Sequence, residues 1–213
     1  MIHYIGDSTV AYNKIFSYPQ TGMSQGLLLY LRDGVQLRSY AKNGRSTKSF
    51  LEEGRFEPVK AAMRPGDLLL IQFGHNDEKD DPARHTEPFG SYQENLRYFV
   101  ETARQAGAEA VLITPIARRL FDERGVFRPG SHGEYPEAMR QLGARLGVGV
   151  ADLTEITEDY LAHAGDMPSK PWFMWPKDNT HLKPEGAVLM AGFLAGELER
   201  LGYGELLARD EED

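Results

Sequence analysis

No cysteine occurs among the 213 residues, which removes disulfide staples, thiolate nucleophiles and Cys-ligated zinc in one step. Any nucleophile in this chain is an oxygen or a nitrogen. Positive charge is scarce as well: 24 Lys and Arg face 32 Asp and Glu, for a net charge of -8. A polyanion partner wants clustered Lys and Arg, so nucleic acid is not expected to bind. Long apolar runs are missing too. The greasiest stretch, 187–195, is far shorter than the roughly 20 residues of a membrane span, and helical periodicity explains it. A secretory leader opens with a basic segment and about 7 to 15 apolar residues. This chain instead opens Met1-Ile2-His3-Tyr4-Ile5 and turns at Gly6, and the location expected on that reading is cytoplasmic.

What is present is a 41% hydrophobic chain, long enough for one well-filled core and short for two. No internal repeat or linker interrupts it, so one domain over 1–213 is expected, ending in a solvated acidic tail at 208–213. Short apolar runs alternate with segments of helical period, the pattern of βαβ units wound onto a parallel sheet. The expected strands are 2–5, 35–40, 68–73, 110–114 and 148–153, and the expected helices 23–31, 56–63, 91–106, 135–146 and 185–201. Ser91 is a candidate cap for its helix, with Glu94 completing a capping box and Gly107 closing the far end. The long irregular segments are 74–90, 115–133 and 165–184. Sites in open α/β sheets form in loops beyond the carboxyl ends of strands, so chemistry is expected in these segments and after the first two strands.

Four short constellations fall there. Ser8 follows the first strand at once in Gly6-Asp7-Ser8-Thr9, at a carboxyl end of the sheet; the same serine would serve as an ordinary helix cap. Asn43-Gly44-Arg45-Ser46-Thr47 follows the second strand, and Gly74-His75-Asn76-Asp77 the third. A glycine N–H and an Asn side chain beside the Ser8 N–H would form an oxyanion hole, although each alone reads as a turn or polar loop. Asp178-Asn179-Thr180-His181 precedes the last helix, which Pro184 and Glu185 are placed to open. Its i to i+3 spacing lets the carboxylate orient the imidazole so that the other ring nitrogen faces Ser8. Such triads are defined by geometry and not by chain order, so the 170 positions from Ser8 to Asp178 are no obstacle.

Together these blocks resemble the four motif blocks of the SGNH, or GDSL-type, hydrolases, from first strand to last helix. Gly6-Asp7-Ser8-Thr9, Asn43-Gly44-Arg45-Ser46-Thr47-Lys48-Ser49-Phe50, Phe73-Gly74-His75-Asn76-Asp77 and Asn179-Thr180-His181 look most like the rhamnogalacturonan acetylesterase branch. The resemblance implies a three-layer αβα sandwich around a five-stranded parallel sheet, flavodoxin-like, and an acyl-enzyme mechanism without metal or other cofactor. It implies Ser8 as nucleophile, His181 as base and Asp178 as its orienting partner. The Ser8 N–H, the Gly44 N–H and the Asn76 side chain become the oxyanion hole. The implied partner is an acetylated oligosaccharide.

The remaining candidates have plainer readings beside the functional ones. Trp172 and Trp175 are candidates for a sugar platform or for packing their loop onto the core. Arg45, Arg118, Arg119 and Lys177 are candidates to meet a uronate carboxylate, and His75 to line the site. His75 with Asp77, Asp80, Asp81 and His85 raises a metal reading, but in no fixed motif spacing, and the run 77–81 reads most simply as an exposed loop. Rival functions are an esterase for lipid or aryl esters built on the same triad, a carbohydrate-binding protein without turnover, and a metal-dependent phosphoesterase.

Overall fold

A computed structural model describes residues 1–208. Five parallel strands form one sheet in the order β2-β1-β3-β4-β5: β1 Ile2–Gly6, β2 Leu37–Ser39, β3 Leu68–Gln72, β4 Glu109–Ile113 and β5 Gly149–Ala151. The helices are α1 Met23–Gly26, α2 Thr47–Glu52, α3 Glu57–Ala62, α4 Gln93–Gln105, α5 Tyr135–Leu146, α6 Leu153–Ala164, α7 Asp166–Ser169 and α8 Pro184–Leu198. Alternation along the strands sorts side chains between two cores. Tyr4, Leu70, Val111 and Ile113 pack against Met23 of α1, Leu161 of α6 and Met190 and Leu194 of α8. Ile5, Leu69, Ile71 and Leu112 pack against Phe50 of α2, Val59 of α3, Phe99 of α4 and Leu142 of α5. The sheet is therefore a middle layer buried on both faces, which is why β3 reads Leu-Leu-Leu-Ile and not as an apolar-polar alternation.

The chain runs from β1 outward to β2 and then crosses back to β3, so the winding direction reverses between β1 and β3. Open α/β sheets leave a crevice at such a switch point, beyond the carboxyl ends of the strands. The segments after β1, β2 and β3 all open there.

Several sequence expectations need correction. α2 and α6 were not foreseen. α2 is short and rich in Ser, Thr and Lys, with no apolar stripe to reveal it; it starts because Ser46 and Ser49 cap each other reciprocally. α6 follows β5 so closely that its cap, Asp152, fell inside the segment read as strand 148–153. The expected helix 23–31 remains α-helical only to Gly26 and tightens into a 3-10 segment, Leu27–Tyr30. Ser91 caps nothing. It lies inside a wide turn, Pro88–Tyr92, that bends at Gly90, and its hydroxyl accepts from the Glu87 N–H instead. β2 is half the expected length, because only three of its residues pair with β1. Of the tail expected at 208–213, Ala208 is tied by its N–H to the Tyr30 carbonyl, and residues 209–213 lie outside the described part. Among the described residues no helix is long and apolar enough to cross a membrane.

Candidate active site

Ser8 sits one residue beyond Asp7 at the end of β1, on a tight turn in which the Asp7 carbonyl accepts from Val10 and Ala11. The Asp7 carboxylate accepts from the Thr9 N–H at 2.9 Å and the Thr9 hydroxyl at 2.8 Å, which locks the turn and aims Ser8 away from the core. Ser8 caps no helix, since the next α-helix begins at Met23. Its side chain instead meets the segment before α8. His181 Nε2 lies 2.9 Å from Ser8 Oγ, and His181 Nδ1 lies 3.3 Å from Asp178 Oδ2. Asp178 Oδ1 accepts from the main-chain N–H groups of Thr180 at 3.0 Å and His181 at 2.7 Å, so one carboxylate shapes the loop with one oxygen and faces the imidazole with the other.

Tertiary contacts hold that loop against Ser8. Phe173 and Leu182 are fully buried and bridge its two ends, while Met174 N–H donates to the His181 carbonyl at 2.8 Å. A Cβ on Gly186 would stand 2.0 Å from the Trp172 carbonyl oxygen, so a glycine in the first turn of α8 is what lets the loop close this tightly. Thr21 N–H donates to Leu182 O, joining the loop to the segment that follows Ser8.

The hydroxyl opens into a pocket of about 230 Å³ lined by Ser8, His75, Asn76, Lys79, Arg118, Asp178, Thr180 and His181. Among the described residues neither the Ser8 nor the Gly44 N–H has a hydrogen-bond partner. Gly44 adopts φ +76° with open space where a Cβ would stand, so the glycine serves the left-handed turn and not a close approach. Gly44 and Arg45 face a second pocket, of about 340 Å³, which they share with Arg84. Asn76 lines the Ser8 pocket and touches two residues of the second: its Nδ2 donates to Arg45 O at 3.1 Å and its Oδ1 accepts from Arg84 at 3.4 Å. One N–H of the Asn76 amide is therefore used and the other is free.

Other candidates divide. Arg118 lines the Ser8 pocket but is ion-paired to Glu78 and donates to Ser131 O. Arg45 is paired with Glu53 at 3.0 Å. Arg119 is not available to substrate: its side chain is 2% exposed, bonded to Ser169 and Asp166, and its N–H donates to Asn179 O, so it is a strut under the Asp178 loop. Trp172 packs against the core beside Tyr160 and is no platform, whereas Trp175 is exposed and stacks over the Arg119 and Lys170 cations. Lys177 is exposed.

The acidic run 77–81 is only partly an exposed loop. Asp77 is fully buried and holds the start of α2, accepting from the Thr47 N–H at 3.0 Å and the Thr47 hydroxyl at 2.6 Å. Glu78 joins Arg118 to His132, and Asp81 pairs with Arg84. His85 turns to Lys79 O and Glu87. The side chains proposed for a metal point in different directions, and no three acidic or His side chains converge on one point among the described residues.

His75 lies under the pocket with Nδ1 3.3 Å from Asp7 Oδ2 and its ring edge-on to His132. Burial pushes the His75 imidazole below the ordinary range, with His132 and Arg118 adding to the effect against the pull of Asp7. Burial works against ionisation of Asp7, but the His75 ring and the Thr9 N–H and hydroxyl outweigh it and hold that carboxyl low. The sequence does not single out Asp7, Arg84 or His132: for Asp7 the only signal is adjacency to Ser8, and for the other two there is none, while Glu78 and Lys79 are hidden in the run 77–81 that reads as an exposed loop.

For Asp77, burial raises the carboxyl to about 7, against its hydrogen bonds from Thr47 and Thr86. The folded chain binds this proton more tightly than the unfolded chain, whose carboxyl sits near 3.8. The contribution to stability is therefore complete below about pH 4 and is lost as pH rises through about 7. Asp77→Asn keeps the acceptor for Thr47 and cannot ionise. Its melting temperature should gain on the wild type as pH rises from 4 to 8, and thermal melts that shift in parallel across that range would contradict the assignment.

The GDSL-like lipase/acylhydrolase family matches residues 4–189. The chain is 39% identical to the rhamnogalacturonan acetylesterase RhgT of Bacillus subtilis (strain 168), over 92% of this chain and 88% of that protein. It is 29% identical to the rhamnogalacturonan acetylesterase of Emericella nidulans, over 89% of this chain and 81% of that one. The crystal structure of YxiM from Bacillus subtilis superposes with a TM-score of 0.83 at 26% identity, covering 94% of this chain and 56% of that one. A catalytic mutant of an acetylxylan esterase from Geobacillus stearothermophilus superposes with a TM-score of 0.63 at 16% identity over 98% of this chain and 96% of that one, a likeness of fold alone.

Proposed function

The chain belongs to the GDSL-like lipase/acylhydrolase family, and from that premise we propose that it is a serine esterase that removes acetyl groups from rhamnogalacturonan fragments, with Ser8, His181 and Asp178 as its triad. The observation that carries the reading is the series of contacts from Ser8 Oγ to His181 Nε2 at 2.9 Å and from His181 Nδ1 to Asp178 Oδ2 at 3.3 Å. The substrate class rests on the relatives named rhamnogalacturonan acetylesterase, the nearer of those two being 39% identical.

In this mechanism Ser8 Oγ attacks the acetyl carbonyl while His181 Nε2 takes its proton. The carbonyl oxygen becomes an oxyanion, received by the Ser8 and Gly44 N–H groups and the free Asn76 N–H. The tetrahedral intermediate collapses, the sugar hydroxyl leaves with the proton from His181, and acetyl-Ser8 remains. Water then attacks the acyl carbon, again giving its proton to His181, and acetate departs as Ser8 recovers that proton. Donors fixed before the reaction lower the barrier because no dipole has to reorient as charge develops; each is worth about 10²- to 10³-fold.

The test is a serine-directed fluorophosphonate with mapping of the labelled residue, run beside acetate release from acetylated rhamnogalacturonan, acetylated xylan and short p-nitrophenyl esters. Label on Ser8 with preference for the pectic substrate is expected. Label elsewhere defeats the triad, no label with intact carbohydrate binding indicates a non-hydrolytic protein, and preference for aryl or longer acyl esters moves the substrate class.

A further inference from the structure

The cations around the Ser8 pocket are not equivalent. Arg118 is answered by Glu78, Arg84 by Asp81 at 2.6 Å and Arg45 by Glu53. Lys79 lines the same pocket, is exposed, and among the described residues its ammonium has neither a carboxylate within ion-pair distance nor a hydrogen-bond acceptor. Its backbone is held in place, since the Lys79 N–H donates to Asn76 O and its carbonyl faces His85 Nδ1 at 3.2 Å. The stem is thus rooted three residues from Asn76, and the side chain lines the pocket. Partial burial together with Arg84 and Arg118 lowers the Lys79 ammonium, against the weaker opposing pull of the Asp7 and Glu78 carboxylates.

The rest of the molecule sharpens this. A chain of net charge -8 repels an anionic saccharide at long range, and salt screens that repulsion beyond about 8 Å. Recognition of a carboxylate then depends on cations within a few ångströms of the reacting ester, and of the two lining the pocket, Arg118 and Lys79, only Lys79 has, among the described residues, no partner to give up before it binds one.

We propose that Lys79 is a specificity residue that binds the carboxylate of a uronate, either on the acetylated sugar or on its neighbour in the chain. The proposal rests on the acetylesterase reading for its substrate class, but it can be tested without turnover. Binding of non-acetylated oligogalacturonate, and of the same oligosaccharide fully methyl-esterified, is measured by calorimetry for wild type, Lys79→Met and Lys79→Arg at 50 and 500 mM salt. A partly exposed charge-assisted contact should make Lys79→Met bind the free uronate about five- to tenfold more weakly at low salt, with Lys79→Arg restoring most of the loss. High salt should shrink the difference, and the methyl ester should bind all three proteins alike. Equal loss for charged and esterified ligands, no loss in Lys79→Met, or no binding of uronate by the wild type would each overturn the proposal. Failure to release acetate from any ester counts against the esterase reading instead, because binding needs no acetyl group.

Discussion

Ser8→Ala should lower turnover of an acetyl ester by about 10⁴-fold or more, and His181→Ala by a similar factor. In the proposed mechanism both groups serve one event, transfer of the Ser8 proton to Nε2 across 2.9 Å as the oxygen attacks, and losing either end of that transfer loses all of it. The double variant should accordingly be no worse than either single one, whereas two independent contributions would multiply. Some rate above the uncatalysed reaction should persist, because the Ser8 and Gly44 N–H groups and the Asn76 amide are untouched by either change. Steady-state kinetics on p-nitrophenyl acetate, with fluorophosphonate labelling as a check that the serine itself reacts, measures this. A Ser8→Ala protein that keeps even a tenth of its activity would place the chemistry on another residue.

Asp178→Asn should cost about 10³- to 10⁴-fold in kcat while leaving the loop in place. The physical cause is the proton on the imidazole. Asp178 Oδ1 already accepts two main-chain N–H groups, so an Asn at this position keeps its oxygen there and turns its amide N–H₂ toward His181 Nδ1. Nδ1 must then be the acceptor, the ring proton moves to Nε2, and Nε2 can no longer take a proton from Ser8. The Asp178 and His181 side chains are 38% and 33% exposed, so solvent screens the carboxylate's charge and tautomer control is the larger part of the effect. The melting temperature should change little. A drop in kcat accompanied by large destabilisation would mean that Asp178 mainly builds the loop, and near-normal kcat would remove it from the mechanism.

Both predictions concern residues visible in the sequence, and the reason is local. Ser8 follows an apolar strand by two residues, and Asp178 and His181 are three apart, so short-range rules bring each to a strand end or to its neighbour. The strands were legible because the β1 and β3 runs are buried on both faces, and α5 because its apolar residues recur with helical period. What escaped depended on partners distant in sequence. Asp77 looked like one charge in an exposed acidic run, yet it is buried because α2 starts against it, 30 residues earlier in the chain. Arg119 looked like Arg118, but Arg118 faces the pocket, whereas Arg119 ties the Asp178 loop, through its N–H to Asn179 O, to Asp166 and Ser169 of α7.

Local pattern therefore determined the kind of fold, the four segments bearing the candidate site residues and the pairing of Asp178 with His181, because strand burial, turn geometry and i to i+3 spacing act over a few residues. Only the tertiary structure decided that His181 comes within hydrogen-bond distance of Ser8, 173 residues away, and which cation at the pocket has no partner among the described residues. Those outcomes are set by how α8, its preceding loop and the β1–β3 switch point pack together, and packing joins positions whose separation along the chain carries no information about their separation in space.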